Sequence, residues 1–147
     1  MKLLITILLL IGQSYGQITK KDIAPLCLTF ASGMCDGGAE SLKFHYEKVD
    51  SKLNLNDKFW NPEISWKNKY KDGNPDNGAA FKGSTTCFVG VTDGYHLLRT
   101  GRNIMAITAI TLKIGNKQKW WYYFLEAALF YLSYQIGFTI TYEIFNT

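Results

Sequence analysis

The sequence predicts an all-α protein: a small helical bundle of about three long helices that follows an N-terminal signal segment and contains one long aromatic-rich loop. Apolar residues recur at helical spacing over about residues 25–53 and 85–112. A third stretch, 120–142, is apolar and aromatic with a single ionisable group. The chain has 147 residues, 47% of them apolar, which suits one domain with a buried core.

Residues 1–16 have the pattern of a secretory signal peptide. Lys2 supplies the positive start, residues 3–11 form an apolar run, and Gly16 ends a small-residue cleavage site. We expect cleavage after Gly16, which leaves a single helical domain over 17–147. A retained signal anchor is the alternative.

The helix over about 25–53 is predicted to start near Pro25, which suits a first helical turn. Its polar face, which we interpret as a solvent-facing ladder, consists of Asp36, Glu40, Lys43 and Glu47. Gly33 and Gly37 have the spacing that lets another helix backbone come close. The central helix carries the same spacing at Gly90 and Gly94, so we expect these two helices to dock through their glycines.

The connection 54–83 contains many turn signals, such as Asp72-Gly73 and Asn77-Gly78. Long loops without regular structure are uncommon in compact domains. Its aromatic content argues against disorder, so three roles stay open: packing over the helices, lying at a membrane interface, or binding a partner. Its aromatic residues are Phe59, Trp60, Trp66, Tyr70 and Phe81.

The central helix, about 85–112, carries the most unusual polar groups. Asp93 and His96 fall on one strip of a helix, Arg99 flanks that strip, and Arg102 lies further round. Two interpretations compete: local ion pairs on a solvated face, or a polar pocket beside or inside a membrane. A loop or kink near Asp93-Gly94 is the alternative to a continuous helix.

These polar groups form the predicted site, in which Asp93 would orient His96 for acid–base catalysis. Arg99 and Arg102 would bind an anion such as a lipid phosphate. Four further residues could support them: Asp36, Glu40, His45 and Glu126. Although Asp93-x-x-His96 has a spacing used by metal sites in bundles, it occurs once, so we predict no metal and no cofactor.

The segment 120–142 is long enough to span a bilayer, and we predict a transmembrane helix there. The signal segment would place 17–83 outside, and Lys113, Lys117 and Lys119 would lie inside. Glu126 would then be available to pair with Arg99 or Arg102. The mean hydropathy of −0.07 instead suits a soluble or peripheral protein.

Three cysteines occur in the chain, at positions 27, 35 and 87. Cys27 and Cys35 would be about 12 Å apart along a helix, too far for a disulfide. A bridge would therefore pair Cys87 with one of them, and three buried thiols are the alternative.

Two segments, WNPEISWKNKY and GSTTCFVGVTDGYHLLR, carry a resemblance over about residues 59–100. The matching positions are Trp60, Asn61, Pro62, Ser65, Trp66, Lys67, Asn68, Lys69 and Tyr70, then Ser84, Thr85, Thr86, Phe88, Val89, Thr92, Asp93, Gly94, His96 and Leu97. On these, the chain resembles a group of small bacterial exported or membrane proteins. The resemblance implies an envelope location and no particular activity.

We therefore expect an exported, membrane-associated protein of the bacterial cell envelope, on its periplasmic side, with a structural or binding role. Its expected partners are a lipid bilayer or another membrane protein. The net charge is +4, but the sequence lacks the dense basic clusters of a nucleic-acid binder. No nucleic-acid partner is therefore expected. The alternative is a membrane-embedded enzyme that acts on a phosphate-bearing lipid or uses a metal.

Overall fold

The computed structural model describes residues 20–116 and 119–147, and it confirms the all-α fold. The signal segment 1–16 with its cleavage site, and Lys117 in the basic turn, lie outside the described residues. The helices are α1 (Lys20–Leu53), α2 (Asp57–Trp60), α3 (Pro62–Ser65), α4 (Gly94–Thr111) and α5 (Trp120–Asn146).

Helix α1 is the centre of the bundle, because α4 and α5 both pack along it. The apolar core of the described chain is small: its buried hydrophobic members are Ala39, Leu42 and Val49 of α1 and Ala109 of α4. A core of this size leaves much of the apolar surface of α4 and α5 uncovered. Polar contacts between the helices therefore carry more weight than in a bundle with a thick core.

Glycines bring α1 and α5 into backbone contact. A Cβ atom added to Gly33 would lie 2.0 Å from the carbonyl oxygen of Tyr134, and one added to Gly137 would lie 2.1 Å from that of Phe30. Only residues without side chains permit this approach. Gly37 makes the same kind of contact, with the carbonyl of Phe138 at 2.6 Å.

The predicted docking of these glycines with Gly90 and Gly94 is therefore wrong. Gly90 instead leaves room for Thr100, and Gly94 lies under the ring of Trp60. Both precede or begin α4 rather than lying within it. The two glycine pairs have the same spacing, but only the first pair lies inside an α-helix.

Helix α4 begins at Gly94, nine residues later than the predicted start at 85. Asp93 has extended backbone angles, and its carboxylate accepts the backbone N–H of His96. That side chain is the N-cap, which satisfies an unpaired donor of the first turn. The loop near Asp93-Gly94, considered as the alternative, is what the structure contains.

The connection before α4 has regular structure. Besides α2 and α3, residues 54–93 contain four short 3₁₀-helices, and asparagine side chains cap several of these turns. The Asn68 amide donates to the Thr92 carbonyl at 3.0 Å, which holds the connection to the start of α4. Of the three roles left open for this segment, packing over the helices is therefore realised.

The predicted transmembrane helix over 120–142 is wrong. Across residues 20–116 and 119–147, none of the helices is both long enough and apolar enough to cross a bilayer. Helix α5 has the length, but five tyrosines, Ser133, Gln135 and Glu126 interrupt its apolar character within that stretch. The inside–outside assignment that depended on this span falls with it.

We expect Gly33→Ala to lower the free energy of unfolding by about 1–3 kcal/mol, because the new methyl group forces α1 and α5 apart. Gly101→Ala is the matched control within α4, since its Cβ would meet only the Cys35 sulfur at 3.6 Å. Alanine is favoured over glycine in a helix by about 1 kcal/mol, so the control is expected to be as stable as the wild type or more so. Urea unfolding measures both, and equal stability of the two variants would contradict the close approach.

Candidate functional site

Asp93 and His96 form a fixed carboxylate–imidazole pair at the start of α4. The Asp93 side chain is 1% exposed and that of His96 is 29% exposed. Oδ1 of Asp93 accepts the His96 backbone N–H, and His96 Nδ1 lies 2.8 Å from Oδ2. Because Nδ1 is held by the carboxylate, any proton exchange with a ligand would use Nε2.

The connection clamps this pair from the other side. The Thr92 hydroxyl donates to the Val89 carbonyl at 2.8 Å and lies 3.1 Å from Oδ2 of Asp93. The Asn68 amide also donates to the Lys58 carbonyl at 2.7 Å, so one side chain ties α2 to the residue before Asp93. The residues that carry the sequence resemblance thus include those that build this corner of the fold.

The two arginines face carboxylates of α1. Arg102 Nη1 donates to Asp36 at 2.7 Å, and Arg99 Nη1 donates to Glu40 at 3.4 Å. Asp36 and Glu40 therefore point at α4, and the prediction of a solvent-facing ladder is wrong for these two residues. An anion approaching either arginine would have to compete with its carboxylate.

Asp36 joins three helices, because the Tyr134 hydroxyl of α5 donates to its second oxygen. Burial, this hydrogen bond and the Asp36 charge raise the pKa of Tyr134 to about 12, against a smaller opposing effect of Arg102. The sequence contained no signal that a tyrosine of the last helix would complete this junction.

Glu126 and His45 lie in two other places. Glu126 pairs with Lys113 at 2.5 Å, and Lys113 also pairs with Asp22 at 2.6 Å. The arginines have Asp36 and Glu40 as ion-pair partners instead, so the suggested pairing of Glu126 with an arginine is not what the structure contains. His45 Nε2 lies 2.9 Å from the Tyr142 hydroxyl, where α1 departs from helical backbone angles.

Within the part of the chain that the structure describes, no group of three or more histidine, cysteine or acidic side chains is placed to hold a metal ion. The thiols do not form the bridge suggested for Cys87 either. All three are free: Cys27 and Cys87 are exposed and Cys35 is partly buried. Burial, and next the charge of Asp36, raises the pKa of the Cys35 thiol.

Exposed apolar side chains, which the sequence does not predict to be exposed, flank the connection between α4 and α5. We call this set the apolar tip. Its side chains are 59–75% exposed, and Trp120 contacts Phe124 edge to face at 5.8 Å. Isoleucines three residues apart on α4 were the available signal. The tip consists of Ile104, Ile107, Ile110, Ile114, Trp120 and Phe124.

Comparison with known proteins finds no match: no protein-family model, no curated protein and no solved structure corresponds to this chain. The resemblance in the 59–100 segment accordingly stays a prediction. Function has to be argued from the geometry described above.

Asp93→Ala is expected to lower the free energy of unfolding by about 1–2 kcal/mol, because α4 loses its N-cap. Asp93→Asn is the matched control, since an amide oxygen can still accept the His96 backbone N–H and asparagine is an equally good N-cap. Urea unfolding followed by circular dichroism separates them. If the alanine variant matched the wild type, the cap would not be holding the start of α4.

Tyr134→Phe is expected to flatten the alkaline limb of the stability curve. The pKa of Tyr134 is raised from 10.0 to about 12 on folding, so its contribution to stability is complete below pH about 10 and is lost as the pH rises towards 12. The urea midpoint of unfolding would be measured between pH about 10 and 12 for the wild type and Tyr134→Phe. Tyr131→Phe is the control because Tyr131 is exposed. Identical slopes for wild type and Tyr134→Phe would refute the assignment.

Proposed function

We propose that this protein binds the surface of a lipid bilayer through the apolar tip, as a structural or binding component of the bacterial cell envelope. The exposure of the tip is the observation that carries the proposal. Large contiguous apolar patches are rare on soluble monomers and mark sites of protein or membrane interaction.

The residue types of the tip favour lipid over water. Trp120 and the neighbouring Trp121 and Tyr123 are all exposed, and tryptophan and tyrosine are enriched where a bilayer meets water. The isoleucines of α4 would enter the boundary between headgroups and acyl chains, as the apolar faces of interfacial helices do. This mode of binding lays the tip into one leaflet and requires no span.

Positive charge lies at the same end of the bundle. Lys21 and Lys119 are exposed beside the tip, and each lysine near an anionic membrane surface contributes about 1 kcal/mol to binding. The lysines would attract the headgroups while the apolar side chains insert. Both contributions would favour the same orientation of the molecule.

Polar contacts also brace the helices beside the tip. Lys113 joins Asp22 of α1 to Glu126 of α5. The Tyr123 hydroxyl donates to the Asn116 carbonyl at 3.0 Å, which links α5 to the residues just after α4. A surface braced before binding loses less conformational entropy on binding than a mobile one.

The enzymatic alternative has less support. Arg99 and Arg102 already face carboxylates, so a phosphate would have to displace them. Ser84, a hydroxyl near Asp93 in sequence, is fully buried and donates its hydroxyl to the Lys69 carbonyl at 2.7 Å. We therefore place the function in binding.

Flotation with vesicles of mixed zwitterionic and anionic lipid tests the proposal. The wild type is expected to float with the vesicles. The double variant Trp120→Ser/Phe124→Ser is expected to bind at least about tenfold more weakly, because burying one large apolar side chain contributes about 1.5–3 kcal/mol. Because Trp120 and Phe124 are both exposed, each is expected to contribute to vesicle binding.

The matched control is Ile64→Ser/Phe88→Ser, which removes two apolar side chains that are 47% and 55% exposed in the connection, away from the tip. It should float like the wild type. An equal loss of vesicle binding in both double variants, or no loss in either, would contradict the proposal. If the wild type instead sedimented as a dimer without lipid, and only the tip substitutions abolished that dimer, the membrane proposal would be contradicted. This outcome would show that the tip binds a second copy of the chain.

A further inference from the structure

A groove of about 400 Å³ runs along α1, and none of its lining residues belongs to the apolar tip. Its floor follows α1 from Met34 to Leu53, and its walls are Trp60, Leu98 of α4 and Phe145 of α5. Sites for small molecules occupy about 300–1,000 Å³ and are mostly apolar. The groove lies at the lower end of that range.

The groove is elongated along α1. Met34 and Leu53 are 19 positions apart on α1, which bends at His45 between them, so the lining follows about five turns of helix. A volume of about 400 Å³ distributed along such a lining favours a thin chain over a compact ring system.

The chemistry of the groove is uniformly apolar. No charged side chain lines it, and Cys35 and Thr141 are the polar side chains among its lining residues. Burying an ionised group there would be costly because nothing is present to compensate its charge. Met34 and Leu53 are 41% and 51% exposed, so the groove opens to solvent beside both.

From this shape and chemistry we infer that the groove binds one unbranched alkyl chain, whose polar end remains in water at an opening of the groove. This ligand class matches the apolar walls, the elongated lining and the openings beside Met34 and Leu53. The inference does not rest on the membrane proposal, because the groove and the apolar tip share no residue.

Cys35 provides a built-in reporter, because its thiol lines the groove while the thiols of Cys27 and Cys87 are exposed outside it. The three cysteines would be labelled with a maleimide under alkaline conditions, and each labelling rate followed by peptide mass spectrometry. The probe is dodecanoic acid below its micellar concentration. At ten times its dissociation constant it should slow the labelling of Cys35 about tenfold by mass action and leave Cys27 and Cys87 unchanged.

Adamantanecarboxylic acid, which carries the same headgroup on a compact cage, is the matched ligand control and should give no protection. Equal protection by the cage compound, or none by dodecanoic acid, would overturn the inference. Protection of all three cysteines would also overturn it, since it would indicate general association rather than a site.

Leu53→Glu puts a charge at one opening of the groove without disturbing the core, and it should abolish the protection of Cys35 by dodecanoic acid. Ile144→Glu, at a residue 57% exposed and outside the lining, is the control and should retain it. Both variants should float with vesicles like the wild type. If the wild type failed to float with vesicles, the membrane proposal alone would be refuted. If dodecanoic acid still protected Cys35 in Leu53→Glu, the groove assignment alone would be refuted.

Discussion

Backbone contact between α1 and α5 is the constraint on which the rest of the structure depends. Gly33, Gly37 and Gly137 remove the side chains that would separate the two helices. The contact sets the register in which Tyr134 meets Asp36 and Tyr142 meets His45. Because packed helices interlock at discrete positions, a shift along the axis would break these polar contacts together.

Polar junctions then hold α4 in place, where the apolar core is small. Asp36 binds Arg102 of α4 as well as Tyr134, and Lys113 joins the ends of all three long helices. Removing one partner of such a pair would leave a partly buried charge uncompensated, which disfavours arrangements in which these helix faces do not meet. The apolar side chains that remain outside these contacts form the tip and the groove, the two surfaces to which we assign binding.

The start of α4 illustrates how far the sequence could be interpreted. Asp93 followed by Gly94 was recognised as an alternative to a continuous helix, yet the apolar residues before it favoured an earlier start. Capping decided the outcome, because a buried aspartate that accepts the His96 N–H ends the preceding turn and begins the helix. Asp93, which the sequence predicts to lie on one face of a longer helix, lies instead at the helix end as its N-cap.

Local sequence pattern alone determined the all-α class, the end of α1, the end of α4 to within one residue and the start of α5. Helical periodicity and turn signals suffice for these features because they act over a few residues. Tertiary structure decided the partners. Gly33 docks on α5 and not on the residues around Gly90, and Asp36 faces Arg102, 66 positions away. Two glycine pairs of identical spacing, or two faces of one amphipathic helix, cannot be distinguished until the chain has brought distant segments together.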